Sequence, residues 1–168
     1  MAVNVKSIYY MTVGLQSLLQ NGTNAELPSR VINIASVAGL STSDVTSGSE
    51  GGLSEPGSGP FSYGPSKAAV IHLSKMQASK LAPLNIMVYC ICPGLFPSRM
   101  SNFGIQKYLD TMLSRQPTGR IGKASDFVGL VLFLSSKGSA HMTGNVLEID
   151  GGSLTSGWKR QSRDSGRL

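Results

Sequence analysis

Two short apolar runs on either side of one helical stretch constrain this chain most. Arg30-Val31-Ile32-Asn33-Ile34-Ala35 and Ile86-Met87-Val88-Tyr89-Cys90-Ile91-Cys92 are dense in β-branched and aromatic residues, the composition of buried strands. Between them, residues 61–82 place Ala68, Ala69, Ile71, Leu73, Met76 and Leu81 at helical steps, and Pro83 follows. Strand, helix, strand in that order is a βαβ unit with parallel strands and a right-handed crossover. Only 14% of the residues are charged, as suits a parallel sheet covered by helices on both faces. A further helix is predicted from Ser125-Asp126 through Leu134, and a last strand over 145–149, closed by Asp150-Gly151-Gly152. No internal repeat is present.

In an open parallel sheet, ligands bind outside the carboxyl ends of the strands. Ser36 leaves the end of the first strand and Pro93-Gly94 the end of the second. Tyr63 and Lys67, four apart at the start of the helix between them, share one helix face. A cation beside a phenol favours the phenolate, and such a phenol can exchange a proton with a substrate oxygen near neutral pH. Taken alone, a Tyr and a Lys at this spacing are common on helices, and Ser36 could simply satisfy backbone at a strand end. The convergence of three strand-end and helix-start signals on one crevice is what singles them out.

Together with Asn4, the Asn33-Ile34-Ala35-Ser36 strand end, Tyr63-x-x-x-Lys67, Pro93-Gly94, Thr143-Gly144 and Asp150-Gly151-Gly152, the chain resembles the short-chain dehydrogenase/reductase family over residues 1–153. The resemblance implies a Rossmann-type, doubly wound α/β sheet. It implies reduction of a carbonyl, or oxidation of the corresponding alcohol, with a nicotinamide cofactor. Tyr63 would be the general acid/base. Lys67 would ease its deprotonation and hold the nicotinamide ribose, Ser36 would hold the substrate oxygen, and Asn4 would bend its helix and support a water relay to Lys67. An Asn near a helix N-terminus also has an ordinary capping reading. Pro93, Gly94 and Ser98 would lie against the cofactor, Ser98 standing where the family has a threonine. Phe61-Ser62-Tyr63, His72-Leu73 and the run Pro93-Gly94-Leu95-Phe96-Pro97-Ser98-Arg99-Met100 are similar to the rhamnolipid-type 3-oxoacyl-acyl-carrier-protein reductases, a subgroup that favours NADP(H) over NAD(H). The family's helix-bundle dimer face would fall on the helices around residues 4–20 and 63–82, implying a homo-oligomer. Tyr89 departs from the family pattern, which has an asparagine there, and puts a structural hydrogen bond in question.

The family's domain opens with a strand, a T-G-x-x-x-G-x-G turn that holds a pyrophosphate at a helix N-terminus, and an N-N-A-G strand end. None of these occurs in the sequence. The expected fold is therefore a partial Rossmann sheet lacking the N-terminal βαβ cofactor half, with an unpaired strand edge and exposed apolar surface. Met1 reads as an internal methionine of a longer protein. Two alternatives to an active enzyme follow: a silent fragment that pairs with an intact reductase, and an unstable gene-model product.

The remaining segments are less informative. Residues 1–21 are predicted as one helix, with Val5, Ile8, Tyr9, Thr12, Leu15 and Leu19 inward and Gly22 in a left-handed cap. Residues 37–62 form a polar loop, longer than the family's link, read either as a lid on the site or as an unselected insertion. Residues 99–120 suit either an apolar substrate cover or ordinary packing. Cys90 and Cys92 alternate on one strand face and read as small buried hydrophobes. His72 and His141 lack metal-ligand spacing, so no metal is expected. The net charge is +6, of which the tail from Lys159 to Leu168 supplies three. Residues 154–168 read as a solvated, disordered tail, leaving no expectation of nucleic-acid binding. No apolar run reaches the roughly 20 residues of a membrane span, and no leader pattern is present, so a cytoplasmic location is expected.

Overall fold

The computed structural model describes residues 1–42, 52–53, 55, 59 and 61–154. Most of the polar 37–62 segment and the basic tail lie outside the described residues. Three strands, β1 (Ser29–Ile34), β2 (Ile86–Pro93) and β3 (Val146–Ile149), form one parallel sheet in the order β1-β2-β3. β1 and β2 register Ser29 against Ile86 through Ile34 against Ile91, and β2 and β3 register Cys90 against Val146 through Pro93 against Ile149. All three carboxyl ends therefore point the same way.

The helices cover both faces, as a doubly wound α/β sheet requires. On one face lie α1 (Ser7–Gly14), α2 (Gln16–Gln20) and the long α3 (Tyr63–Leu81); on the other lies α5 (Ala124–Ser135). The alternation of β2 decides which side chains go where. Ile86, Val88, Cys90 and Cys92 pack towards α3, while Tyr89 and Ile91 pack with Leu134 of α5. All six β2 residues have no accessible surface. Each fully buried aliphatic side chain contributes roughly 1.5–3 kcal/mol, so this strand anchors the core. Cys90 and Cys92 are free thiols within it.

The first helix differs from its predicted form. A five-residue π-helical turn, Ala2–Lys6, precedes α1, and Leu15 breaks the path between α1 and α2. Each residue of phase shift turns a helix face by about 100°. Val5, Ile8 and Leu19 accordingly reach the core, whereas Tyr9 and Leu15, expected inward, are 48% and 43% exposed. Gly22 takes the left-handed conformation expected of it, with φ +72°.

Thr143 and Gly144 join β3 to β2. The Val88 amide donates to Thr143 Oγ1 at 3.0 Å, and the Gly144 amide donates to the Val88 carbonyl at 2.7 Å. The side chain thus completes the ladder just where β3 has not yet begun. Among the described residues, β1 has no strand partner on its outer side, which leaves it as a sheet edge. Tyr89, the departure from the family pattern, has its own hydrogen bond: its hydroxyl donates to the Ser139 carbonyl at 2.7 Å inside the α5 face.

Candidate active site

Tyr63 is the first residue of α3 and is half-buried. One turn on, the Lys67 ammonium lies 5.7 Å from the Tyr63 ring centroid, within cation–π range. Lys67 Nζ also donates to the Ile34 carbonyl at 3.1 Å, which pins it to the end of β1. Burial pushes the Lys67 ammonium below the usual lysine value of 10.5, and the nearby Cys90 and Cys92 oppose that shift. The hydrogen bond with Cys90, and then burial, push the Cys92 thiol up, as suits a buried core thiol.

Ser36 caps a 3-10 turn, Val37–Gly39, that leaves β1: its Oγ accepts from the Ala38 amide at 3.2 Å. That turn presses directly on α3. A Cβ on Gly39 would sit 2.6 Å from the Ala68 nitrogen and the Lys67 carbonyl carbon. A Cβ on Gly64 would sit 3.0 Å from the Ala38 carbonyl oxygen. Backbone therefore meets backbone, and the strand end bearing Ser36 is held against the helix turn bearing Tyr63 and Lys67. The contact between Ala38-Gly39 and Gly64 spans the loop and leaves no local signal in the sequence.

Asn4 lies in the π-helical turn, where Lys6 donates back to the Met1 carbonyl. Such turns are rare and occur often at functional sites. Its side-chain amide donates to Ser66 Oγ at 2.9 Å, and Ser66 in turn donates to the Tyr63 carbonyl at 2.7 Å. Ser66 is almost fully buried, and a serine inside a helix carries no local mark of such a link in the sequence. Asn4, Ser36, Tyr63 and Lys67 are thus assembled around the amino end of α3 and the carboxyl end of β1.

Pro93 ends β2 and Gly94 follows it. The Gly94 amide donates to the Ile149 carbonyl at 3.0 Å, and a Cβ there would sit 2.7 Å from the Asp150 Cα. The close neighbour of this glycine is therefore the chain at the end of β3. Asp150 fixes the following turn by accepting from the Gly152 amide, the Ser153 hydroxyl and the Leu154 amide at 2.8–2.9 Å. Ser98 sits in a turn with Ser101. Ser101 Oγ gives its proton to the Phe96 carbonyl at 2.6 Å, so at their 3.0 Å contact Ser98 Oγ is the donor. Ser98 also accepts from the Ser101 amide at 3.2 Å, leaving one lone pair for a ligand N–H. A cleft of about 220 Å³ opens from Ser36 and Gly94 towards α4 (Asn102–Ser114).

The donors present suit the nicotinamide and ribose end of a dinucleotide: a cation and a phenol at one strand end, a glycine turn and a serine lone pair at the next. Among the described residues no glycine-rich strand-to-helix turn offers amides to a pyrophosphate, and no group of three His, Cys, Asp or Glu side chains could hold a metal. Nor is any described helix long and apolar enough to cross a membrane.

A family model described as enoyl-(acyl carrier protein) reductase matches residues 1–153. The chain is 39% identical over 154 residues to a rhamnolipids biosynthesis 3-oxoacyl-[acyl-carrier-protein] reductase of Pseudomonas aeruginosa, covering 90% of this chain and 55% of that protein. It is 33% identical over 150 residues to the 3-oxoacyl-[acyl-carrier-protein] reductase FabG of Thermotoga maritima, covering 89% and 54%. Among solved structures, it matches the Pseudomonas aeruginosa RhlG/NADP active-site complex with a TM-score of 0.75 at 39% identity, covering 89% of this chain and 56% of that one. A short-chain dehydrogenase from Leptospira borgpetersenii with bound NAD+ matches with a TM-score of 0.68 at 31% identity, covering 90% and 53%. The chain spans about half the length of the curated relatives it matches.

Proposed function

The chain belongs to the short-chain dehydrogenase/reductase family, and on that premise we propose that it interconverts a carbonyl, of the 3-oxoacyl type, and the corresponding alcohol. The observation that carries this reading is the seating of the Ala38-Gly39 turn, which follows Ser36, on the α3 backbone at Gly64, Lys67 and Ala68, next to the Tyr63–Lys67 pair. A nicotinamide held by Tyr63, Lys67, Pro93, Gly94 and Ser98 would supply or accept the hydride. The chain's own residues do the rest. Ser36 donates a hydrogen bond to the substrate oxygen and is strongest where negative charge develops there. Tyr63 passes its phenolic proton to that oxygen in reduction and takes it back in oxidation. Lys67 stabilises the phenolate between turnovers and reaches the ribose. Asn4, fixed by Ser66, orients the water that re-protonates Lys67. NADP(H) is favoured over NAD(H) because the RhlG relative was solved with NADP.

The test is oxidation of NADPH by the purified 168-residue chain with a 3-oxoacyl thioester. Turnover is expected, with a loss of about 10²–10⁴-fold in Tyr63→Phe and no change in its melting. Turnover that survives Tyr63→Phe would sink the assignment.

A second reading rests on exposed apolar side chains. Tyr10, Met11, Val13 and Leu18 on α1 and α2, and Met76 on α3, are more than half exposed. Exposed apolar side chains on these helices suit another subunit, either a second copy or an intact reductase, and the chain would then serve as a dimer partner. Sedimentation should show a dimer, or a complex with a co-expressed full-length relative; a lone monomer in both would refute it.

A further inference from the structure

Within the polar 37–62 segment, Gly52 and Leu53 are described, and Leu53 lines the cleft that starts at Ser36. Gly52 is buried and Leu53 is half-buried, although their surroundings in sequence are Ser, Gly, Glu and Pro. They are seated on α4 by the absence of a side chain at Gly104. A Cβ there would lie 2.6 Å from the Gly52 carbonyl oxygen, 3.1 Å from the Leu53 Cα and 2.6 Å from the Met112 methyl. Contacts that short mean backbone packed on backbone, with no room for even a methyl group. From this seat Leu53 joins Val37, Leu95, Met112 and Leu154 around the cleft that starts at Ser36. The charged residue in the lining, Arg115, is exposed.

The chemistry of such a wall is selective. Val37, Leu53, Leu95, Met112 and Leu154 form an apolar strip beside Ser41, Gln116, Ser153 and Arg115, and an aliphatic arm of a substrate gains by lying along that strip. About 220 Å³ is less than the roughly 300–1,000 Å³ of sites that enclose a drug-sized molecule, so the cleft takes one short arm of a substrate. We infer that Leu53 is a specificity-determining residue: held in place by Gly104, it limits the length of an aliphatic arm whose carbonyl end sits at Ser36. This rests on the reading of Ser36 and Tyr63 as the carbonyl site. The 52–53 stretch is then a wall of the binding site.

The experiment measures binding without turnover or cofactor. Straight-chain methyl ketones from butan-2-one to decan-2-one are titrated into the full chain by ligand-observed NMR. Affinity is expected to rise about fourfold per methylene until the arm meets Leu53, and then to level or fall. Leu53→Phe should move that limit to a shorter ketone. Leu53→Ala should move it to a longer one and weaken the ketones that just reach residue 53 by about fourfold. Gly104→Ala, which pushes the 52–53 backbone off α4, should reproduce Leu53→Ala. Leu53→Met keeps the volume and should keep the limit, which covers the case in which the alanine variant fails to fold. Ketone binding that ignores length, or a limit that all four variants share with the unaltered chain, would overturn the inference, as would no ketone binding at all. Length-dependent binding without NADPH turnover would sink the reductase reading and leave this one standing.

Discussion

Tyr89→Phe and Tyr89→Asn should separate sharply in stability, and the structure sets the size of the gap. Tyr89 has no accessible surface, and its ring packs with Ile91 and Leu134. Its hydroxyl donates to the Ser139 carbonyl at 2.7 Å, but that carbonyl also accepts from the Met142 amide at 3.0 Å. Phenylalanine therefore leaves no orphaned acceptor, and the loss is that of one net hydrogen bond, about 0.5–1.5 kcal/mol. Asparagine, the residue the family pattern has here, removes a buried ring, which costs roughly 3–5 kcal/mol in a core. It also sets an amide among apolar side chains, at a further cost of about 1–3 kcal/mol if its partners are absent. Urea unfolding reads both, with the slope checked for constancy so that a midpoint change is a stability change. In heat, each kcal/mol lost should lower the midpoint by about 2–4 °C for a domain of this size. If the asparagine variant is no less stable than the phenylalanine one, the tyrosine ring is not what fills this face of the sheet, and the packing argument fails.

Gly94→Ala should destabilise the chain by roughly 1–3 kcal/mol, because the new Cβ would lie 2.7 Å from the Asp150 Cα and Cβ, atoms at the end of β3 that cannot swing away; an unchanged thermal midpoint would mean the two strand ends are not held together there. Lys67→Met should flatten the alkaline side of the stability–pH curve. Burial lowers the Lys67 pKa in the folded state, so between that value and 10.5 the unfolded chain binds more protons and stability rises with pH. Identical alkaline slopes for the two proteins in chemical denaturation would show that the ammonium is not desolvated.

The pieces written in short-range pattern were legible in the sequence. Apolar runs and a helical period fix β1, α3 and β2 to within one or two residues, because burial on both faces of a parallel strand demands continuous apolar sequence. Tyr63 and Lys67 are neighbours by helix geometry alone, and Cys90 and Cys92 share a buried face by strand geometry alone. The first helix was half-legible: its existence follows from the period, but the π turn at Ala2–Lys6 shifts the phase, and Tyr9 and Leu15 come out exposed.

By itself, then, the sequence determined the parallel βαβ unit of β1, α3 and β2, since each element is written in its own apolar period, and the helix face that carries the phenol and the ammonium, since Tyr63 and Lys67 lie one turn apart; the place of β3 beside β2 came from the tertiary structure. Only the tertiary structure decided which distant groups meet: Asn4 with Ser66, Gly39 with Ala68, Tyr89 with Ser139, and Leu53 with the seat at Gly104. Those contacts join residues about 30 to 60 positions apart in the chain. The residues that make them are small or unremarkable in composition, because backbone packed on backbone is achieved by leaving atoms out, and an absent side chain at Gly39 or Gly104 looks the same in a sequence as one in an open turn.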